Sequence, residues 1–128
     1  MPQLTLRRLP GRFAMLRLGP GDAIPPWAAA APSAFTSITR TAAELSLILP
    51  EQAVPEGVDA DRGWECLGIV ETFGLDVPGI ASSVAAPLAA AGHSVFVVAT
   101  FDTDHFVVRD AAAAAATLEA AGHRVLPD

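Results

Sequence analysis

The segment Asp102-Thr103-Asp104-His105 places two carboxylates and one imidazole between two apolar, strand-like stretches. Three kinds of structure fit these residue types. Asp favours a solvated hairpin turn, because its side chain bonds the nearby backbone. Carboxylates also hold hard cations, and in a binding pocket they accept charge-assisted hydrogen bonds from an ammonium group. Alternate residues of a strand face opposite sides, so only Asp102 and Asp104 share a face. The sequence signals no third or fourth metal ligand, and this disfavours metal-dependent hydrolysis.

The remaining reactive side chains form no catalytic pattern. Cys66 has apolar neighbours and reads as a buried small hydrophobe rather than a nucleophile. His93 and His123 each follow a glycine that ends a predicted helix, where an imidazole contacts terminal carbonyl groups. No Ser-His-Asp or Cys-His spacing and no glycine-rich phosphate loop stands out. We therefore expect no enzymatic activity, no cofactor and no resident metal.

The composition narrows the class of protein. The chain has 128 residues, of which 52% are hydrophobic, which suits one ordinary domain or two small modules and argues against disorder. The net charge is −6 and lysine is absent, so no basic stripe is present for nucleic acid. The apolar runs are shorter than the roughly 18 residues of a membrane span, and no secretory signal is recognisable. A single cysteine cannot form an internal disulfide, so we expect a cytoplasmic protein.

A short repeat, Ala-Ala-Gly-His, occurs at residues 90–93 and again at 120–123 and gives the best clue to topology. Each copy closes a helix-like stretch and opens a strand-like one. In the first helix-like stretch, residues 78–92, apolar side chains recur at helical spacing: Ile80, Val84, Leu88 and Ala91. The second, residues 110–122, begins with Asp110, a good N-cap residue.

Prolines and glycines mark the limits of the first helix. Pro78 suits the first turn, where no internal hydrogen bond is lost. Gly92 suits the left-handed residue that ends a helix. Pro87 removes the hydrogen bond to the Ser83 carbonyl, so we expect a kink there.

The second half of the chain reads as strand, helix, strand, strand, helix, strand. The strand candidates are residues 62–71, 94–101, 105–109 and 123–127. This order predicts a ferredoxin-like α+β unit, an antiparallel sheet with helices on one face. The strand at 94–101 is apolar on both faces, so we expect the other half of the chain or another subunit to cover the second face.

The first half is less regular and resembles a reduced copy of the same unit. Residues 4–9 and 12–18 alternate apolar and polar side chains around a turn at Pro10 and Gly11. Residues 24–31 allow at most a short helix, and residues 34–41 and 44–50 form a second hairpin pair. We expect two modules, residues 1–58 and 59–128.

Residues 35–57, the Arg-Gly-Trp-Glu-Cys-Leu-Gly-Ile segment at 62–69 and residues 76–108 together resemble the small CASTOR-type ACT-domain proteins. The likeness extends from about Leu4 to Leu126. It implies two ACT modules in tandem, the first reduced. ACT domains are regulatory modules of βαββαβ topology that commonly bind amino acids at interfaces between modules. The resemblance thus implies a ligand-binding, non-catalytic protein and leaves the ligand unidentified.

Physical reasoning places an amino-acid ligand at the start of the first long helix. The unpaired N–H groups and positive dipole end of that helix favour the ligand carboxylate, and Gly79 allows close approach of the backbone. Asp102 or Asp104 would bind the ammonium group. In the ferredoxin-like order we expect the strand at 94–101 to lie beside the first strand of its unit. The candidate ligand-binding residues are Asp76, Pro78, Gly79, Ile80, Thr100, Phe101, Asp102 and Asp104, and, from the resemblance, Ser37, Ile38 and Thr39.

The functional prediction is a regulatory or sensor protein that binds a small amino acid or related metabolite and forms a homodimer. Two alternatives stay open. The first is a structural or adaptor module whose apolar sheet face docks a partner. The second is a small metal-dependent enzyme that uses Asp102 and Asp104. Neither a membrane nor a nucleic acid is expected as a partner.

Overall fold

The computed structural model describes residues 3–30 and 33–127 and has an α+β fold. The described residues form eight strands, three α-helices and a short 3-10 turn at Glu51–Ala53. The strands are β1 (Thr5–Arg8), β2 (Phe13–Leu18), β3 (Ser37–Arg40), β4 (Leu45–Pro50), β5 (Asp61–Ile69), β6 (Val95–Ala99), β7 (Asp104–Val108) and β8 (Arg124–Leu126); the helices are α1 (Pro26–Ala29), α2 (Ile80–Ala90) and α3 (Ala111–Ala120). The order β5-α2-β6-β7-α3-β8 confirms the predicted ferredoxin-like sequence of elements.

The chain divides into two compact units. The smaller unit is Gly11–Trp64, and the larger unit combines Met1–Pro10 with Glu65–Asp128. This division differs from the predicted one at residues 58 and 59, because β1 pairs with strands of the larger unit. Residues 1, 2, 31, 32 and 128 of the predicted modules lie outside the described residues.

The smaller unit contains a sheet of order β3-β4-β2-β5, in which all neighbours are antiparallel. The β3–β4 pair, with Ile38 opposite Leu47, is the predicted hairpin. The segment at 24–31 forms only the four-residue helix α1, as expected, and Ala31 lies outside the described residues. Alternate strand residues, α1 and the residue after the 3-10 turn supply the core: Ala14, Leu16, Ala28, Leu45, Leu47, Leu49 and Val54.

The larger unit contains a sheet of order β6-β7-β5-β1-β8. Strand β1 is antiparallel to β5, with Leu6 opposite Ile69, and parallel to β8, with Leu6 opposite Val125. The expected hairpin between residues 4–9 and 12–18 is therefore wrong. The nine-residue strand β5 pairs with β1 through residues 67–69 and with β2 through residues 61–64. Strands β1 and β2 therefore pair with β5 rather than with each other.

Helices α2 and α3 pack on one face of this sheet. Residues of the three inner strands, Leu4 just before β1 and one side of each helix form the core: Leu4, Leu6, Leu67, Ile69, Ile80, Val84, Leu88, Phe106, Val108, Ala111, Ala114 and Leu118. Three members of the predicted helix stripe belong to it, whereas Ala91 is exposed because it follows the last helical turn. Burying each Leu or Phe contributes about 1.5–3 kcal/mol.

The ends of the helices follow local rules. Asp110 is the N-cap of α3, as predicted, and its Oδ1 accepts a hydrogen bond from the Ala113 N–H at 3.0 Å. Gly92 has a left-handed φ of 86°, as a helix-ending glycine should. Helix α2 begins at Ile80 rather than at Pro78, because Gly79 has φ +82° and ψ 0° and so lies outside the helical region.

Pro87 lies inside α2, and His123 compensates for it. A proline at this position has no N–H to donate to the Ser83 carbonyl. The Nε2 of His123 lies 2.8 Å from that carbonyl oxygen, and its Nδ1 accepts a hydrogen bond from the Leu4 N–H at 3.1 Å. His123 is 6% exposed. Because its Nδ1 accepts the Leu4 N–H, Nε2 carries the proton and donates it to the Ser83 carbonyl. The imidazole joins α2 to β1.

The carboxylate of Glu71 binds the backbone at the start of β1, next to Leu4. Its two carboxylate oxygens accept the Thr5 N–H at 2.9 and 3.0 Å. Burial is the largest single effect and raises the pKa of Glu71, but the hydrogen bonds from Thr5 and from the backbone of Glu71 itself, with a contribution from His123, together outweigh it, so the pKa lies below the ordinary value of 4.5.

We expect His123→Phe to destabilise the protein by about 2–4 kcal/mol, because it leaves two buried backbone groups without partners. The Pro87→Ala background supplies a new N–H for the Ser83 carbonyl, so the same substitution should cost roughly 1–2 kcal/mol less there. Urea unfolding of the four variants measures this coupling. His93→Phe is the matched control, since His93 is only half-buried and contacts Thr117. Equal losses in both backgrounds would refute the link to Pro87.

The Glu71 carboxylate should contribute stability that is present above pH 4.5 and is lost as the pH falls through its lower folded-state pKa. Glu71→Gln should flatten stability against pH in this acid range and cost about 1 kcal/mol near neutral pH, because a charged acceptor is replaced by a neutral one. Thermal unfolding between pH 3 and pH 7 tests this, with the exposed Glu56→Gln as control. The same slope for wild type and Glu71→Gln would contradict it.

Candidate ligand site

A cavity of about 190 Å³ lies in the larger unit, where the loop between β5 and α2 meets the turn between β6 and β7. The loop and the start of α2 form one side, and the end of β6, the turn and the start of β7 form the other. The lining residues are Phe73, Gly74, Leu75, Val77, Ile80, Ala99, Thr100, Phe101, Asp102, Thr103 and Asp104.

The turn between β6 and β7 is held by threonine side chains. The Thr100 N–H and Oγ1 both donate to the Thr103 carbonyl at 2.8 Å, and the Thr103 N–H donates to Thr100 Oγ1 at 3.3 Å. Thr103 Oγ1 donates to the Ile69 carbonyl at 3.1 Å and so ties the turn to β5. Asp102 lies in this turn, which is the hairpin position that its residue type favours.

The loop between β5 and α2 carries apolar side chains that face solvent. Leu75 is 71% exposed, and Phe101 across the cavity is 78% exposed. The Phe73 N–H donates to the Asp102 carbonyl at 3.4 Å, which joins the loop to the turn. Scattered single apolar residues on a surface are ordinary, but these surround one cavity.

The start of α2 offers backbone donors beside the cavity. No side chain caps this helix, and the Ser83 N–H is the first to bond within it, to the Gly79 carbonyl at 3.1 Å. The N–H groups of Ile80, Ala81 and Ser82 have no acceptor inside the helix and lie at the positive end of its dipole. They are the type of group that binds a carboxylate.

Gly79 is required here by its backbone rather than by close approach of a ligand. A Cβ atom at this position would meet nothing within 4 Å, but φ +82° is strained for any other residue. A bulky substitution would therefore perturb the helix start without reporting on ligand access.

The structure brings together five of the predicted ligand-binding residues. They line the cavity: Ile80, Thr100, Phe101, Asp102 and Asp104. Three more, Asp76, Pro78 and Gly79, belong to the same loop but do not line it. The last three, Ser37, Ile38 and Thr39, lie in β3, an edge strand of the smaller unit.

One expected neighbour relation is wrong. Residues 94–101 do not lie beside the first strand of their unit, because β7 takes that place and β6 pairs with β7 alone. The burial of Phe106, Val107 and Val108 explains the order, since the most apolar strand occupies the interior of the sheet and leaves β6 at the edge.

The sequence analysis missed six lining residues: Phe73, Gly74, Leu75, Val77, Ala99 and Thr103. A signal was present in residues 72–77, where Phe, Leu and Val occur in a segment bounded by a strand and a helix. Loops are normally polar, so apolar residues in a loop point to a surface with a partner or ligand.

Two further titratable side chains lie in neighbouring strands, Cys66 in β5 and His105 in β7. Burial raises the pKa of the Cys66 thiol to about 12, so the reactive thiolate is not populated at neutral pH. Burial also lowers the pKa of His105, and the neighbouring Asp104 opposes this only in part. Within residues 3–30 and 33–127, no three His, Cys, Asp or Glu side chains come together as metal ligands. No helix of the described chain is long and apolar enough to cross a bilayer.

Two protein families match different parts of the chain. Residues 59–118 match the ACT domain. Residues 11–57 match a family described as the N-terminal domain of a larger group of proteins. No curated protein matches the chain.

Several solved structures share the fold. The Vibrio cholerae protein VC0802, described as of unknown function and a possible transport protein, has a TM-score of 0.74 and 19% identity over 94% of this chain and 91% of its own. Clostridium acetobutylicum aspartate kinase, described as an allosteric enzyme, has a TM-score of 0.63 and 10% identity over 91% of this chain and 33% of its own. At such identities these two structures support the fold alone.

The protein Atu0741 from Agobacterium tumefaciens is much more similar. Its crystal structure has a TM-score of 0.91, and its sequence is 40% identical over 100% of this chain and 96% of its own. The chain therefore belongs to the same family as Atu0741, and its residues 59–118 form an ACT domain with a ferredoxin-like fold.

Proposed function

We propose that this protein is a non-catalytic regulatory or sensor protein that binds a small amino acid, or a related metabolite, in the cavity of its ACT domain. The observation that carries the proposal is that one cavity is lined both by Ile80, the first residue of the uncapped helix α2, and by two carboxylates. The amides of Ile80 and its neighbours suit a ligand carboxylate, and Asp102 and Asp104 suit an ammonium group. An α-amino acid presents both groups.

The comparisons support this proposal at the level of the domain. The ACT domain is a regulatory family, and the aspartate kinase that shares the fold is described as allosteric. The resemblance to CASTOR-type proteins in the sequence points the same way. A ligand that binds one arrangement of the protein more tightly shifts the population toward it, which is how such a module would regulate a partner.

Thermal unfolding of the purified protein with each of the twenty common amino acids at ~1 mM tests the proposal. A ligand at about 100 times its dissociation constant stabilises the fold by about 2.7 kcal/mol. In a chain of this size, that should raise the melting temperature by roughly 5 °C or more. A selective rise with one or a few amino acids is the expected result. A flat response across all twenty would count against amino-acid binding.

Self-association is the second candidate function, and the surface of β6 favours it. Among the described strands, β6 pairs with β7 and forms an edge of the sheet, and edge strands are templates for pairing with another chain. Phe96 and Val97, on opposite faces of this strand, are 48% and 45% exposed. A second copy of the chain pairing along β6 would bury both side chains and satisfy the edge, which gives the expected homodimer.

Val97→Lys should abolish the homodimer, because it introduces a charge at an edge that would otherwise pair. Light scattering after size exclusion should give about twice 13.2 kDa for the wild type and 13.2 kDa for the variant. Val70→Lys is the control, since Val70 is also about half exposed but lies outside β6. A wild-type monomer at ~100 μM would exclude a stable homodimer.

A further inference from the structure

The cavity of the ACT domain is acidic. Among the described residues that line it, none is Lys, Arg or His, whereas two are carboxylates, Asp102 and Asp104. Asp104 interacts electrostatically with the neighbouring His105, whereas among the described residues no hydrogen bond or ion pair engages the Asp102 carboxylate. A ligand with a cationic group would therefore find carboxylate acceptors, and a ligand with a second negative charge would find no side-chain partner.

The hydroxyl groups of the cavity have already donated their protons. Thr100 Oγ1 donates to the Thr103 carbonyl, and Thr103 Oγ1 donates to the Ile69 carbonyl. A hydroxyl has one proton to donate, so these groups offer a ligand only lone pairs. The polar side chains of the cavity are thus all acceptors, and the donors must come from the ligand or from the backbone at the start of α2.

The opposite side of the cavity is apolar. Phe73, Leu75, Val77 and Ile80 line it from the loop and helix start, and Phe101 closes the rim from the turn. None of these side chains can bond a polar substituent, so placing a charged side chain against them would cost desolvation without compensation. A volume of about 190 Å³ lies below the ~300 Å³ at which pockets for drug-sized molecules begin.

We infer that the cavity selects a small primary amine that carries an uncharged apolar substituent, and, among amino acids, those with aliphatic side chains. This inference rests on the proposed function for its location and goes further by naming the ligand class. The ammonium group lies between Asp102 and Asp104, the apolar substituent contacts the side formed by Leu75 and Val77, and a carboxylate, where present, bonds the helix-start amides.

Calorimetric titration of the full-length protein with five matched compounds tests this inference. The compounds are leucine, aspartate, lysine, isoamylamine, which is leucine without its carboxylate, and isocaproate, which is leucine without its amine. Leucine should bind about tenfold or more tightly than aspartate or lysine. The charged side chain of aspartate or lysine would lie against the apolar side of the cavity, where it has no hydrogen-bond partner. Isoamylamine should bind about tenfold or more tightly than isocaproate, since isocaproate lacks the ammonium group.

Substitutions locate the ammonium site and the apolar contact. Asp102→Asn and Asp104→Asn should each weaken leucine and isoamylamine by about tenfold, because a charge-assisted bond becomes a neutral one. Glu56→Gln makes the same change at an exposed position outside the cavity and should have no effect. Leu75→Ser should reduce the preference for leucine over alanine; at 71% exposure, Leu75 can be replaced without loss of the fold.

The outcomes separate this inference from the proposed function. Tighter binding of aspartate or lysine than leucine overturns the inference and leaves amino-acid binding standing. Binding of isoamylamine with no amino acid bound overturns the proposed function alone. Full affinity in both Asp→Asn variants, with unchanged melting temperatures, overturns the inference. No binding by any of the five compounds overturns the inference, whereas the proposed function is overturned only by a flat response across all twenty amino acids.

Discussion

The larger unit depends on a histidine that makes up for a missing hydrogen bond. Pro87 leaves the Ser83 carbonyl of α2 without its helical donor, and His123 supplies one while accepting the Leu4 N–H with its other ring nitrogen. The side chain is buried, so neither backbone group has water as a substitute. This single imidazole fixes the position of α2 against β1, and β1 in turn separates β5 from β8. The hydrogen bonds of His123 therefore link the position of α2 to the position of β1 within the sheet.

The candidate site lies where this packing ends. Ile80, the first residue of α2, belongs both to the buried core and to the lining of the cavity. The turn on the opposite side is fixed by threonine hydrogen bonds, whereas the loop that carries Leu75 is joined to it by one long backbone bond from Phe73. A site with one rigid side and one weakly held side can respond to a ligand by ordering the loop, because regions with few contacts open and close at low cost. Such a loop is a physical basis for the sensor function proposed above.

The exposed apolar surface belongs to two neighbouring features with different uses. Leu75 and Phe101 lie at the cavity, whereas Phe96 and Val97 lie on the edge strand β6. The first pair belongs to the proposed ligand site, and the second belongs to the strand along which we propose that another copy of the chain pairs. Both features meet at the end of β6, since Ala99, the last residue of that strand, also lines the cavity. A ligand in the cavity and a second chain along β6 would therefore both contact the same strand.

The helices and strands and their order along the chain follow from local signals in the amino-acid sequence. The repeated Ala-Ala-Gly-His segments, the N-cap Asp110 and the apolar stripe from Ile80 to Leu88 are local signals, and local backbone chemistry decides where helices and strands begin and end. Two sides of the candidate site, the start of α2 and the carboxylates near Asp102, were found for the same reason. Only the tertiary structure decided that β1 lies between β5 and β8, that β7 rather than β6 lies beside β5, and that the loop around Leu75 completes the cavity. These features depend on pairing between residues distant in the chain, and a strand carries in its own residues no record of which neighbour it will have. Partner choice is settled by the burial of whole faces and by contacts such as that of His123 with Leu4 and Ser83, which join residues up to 119 positions apart.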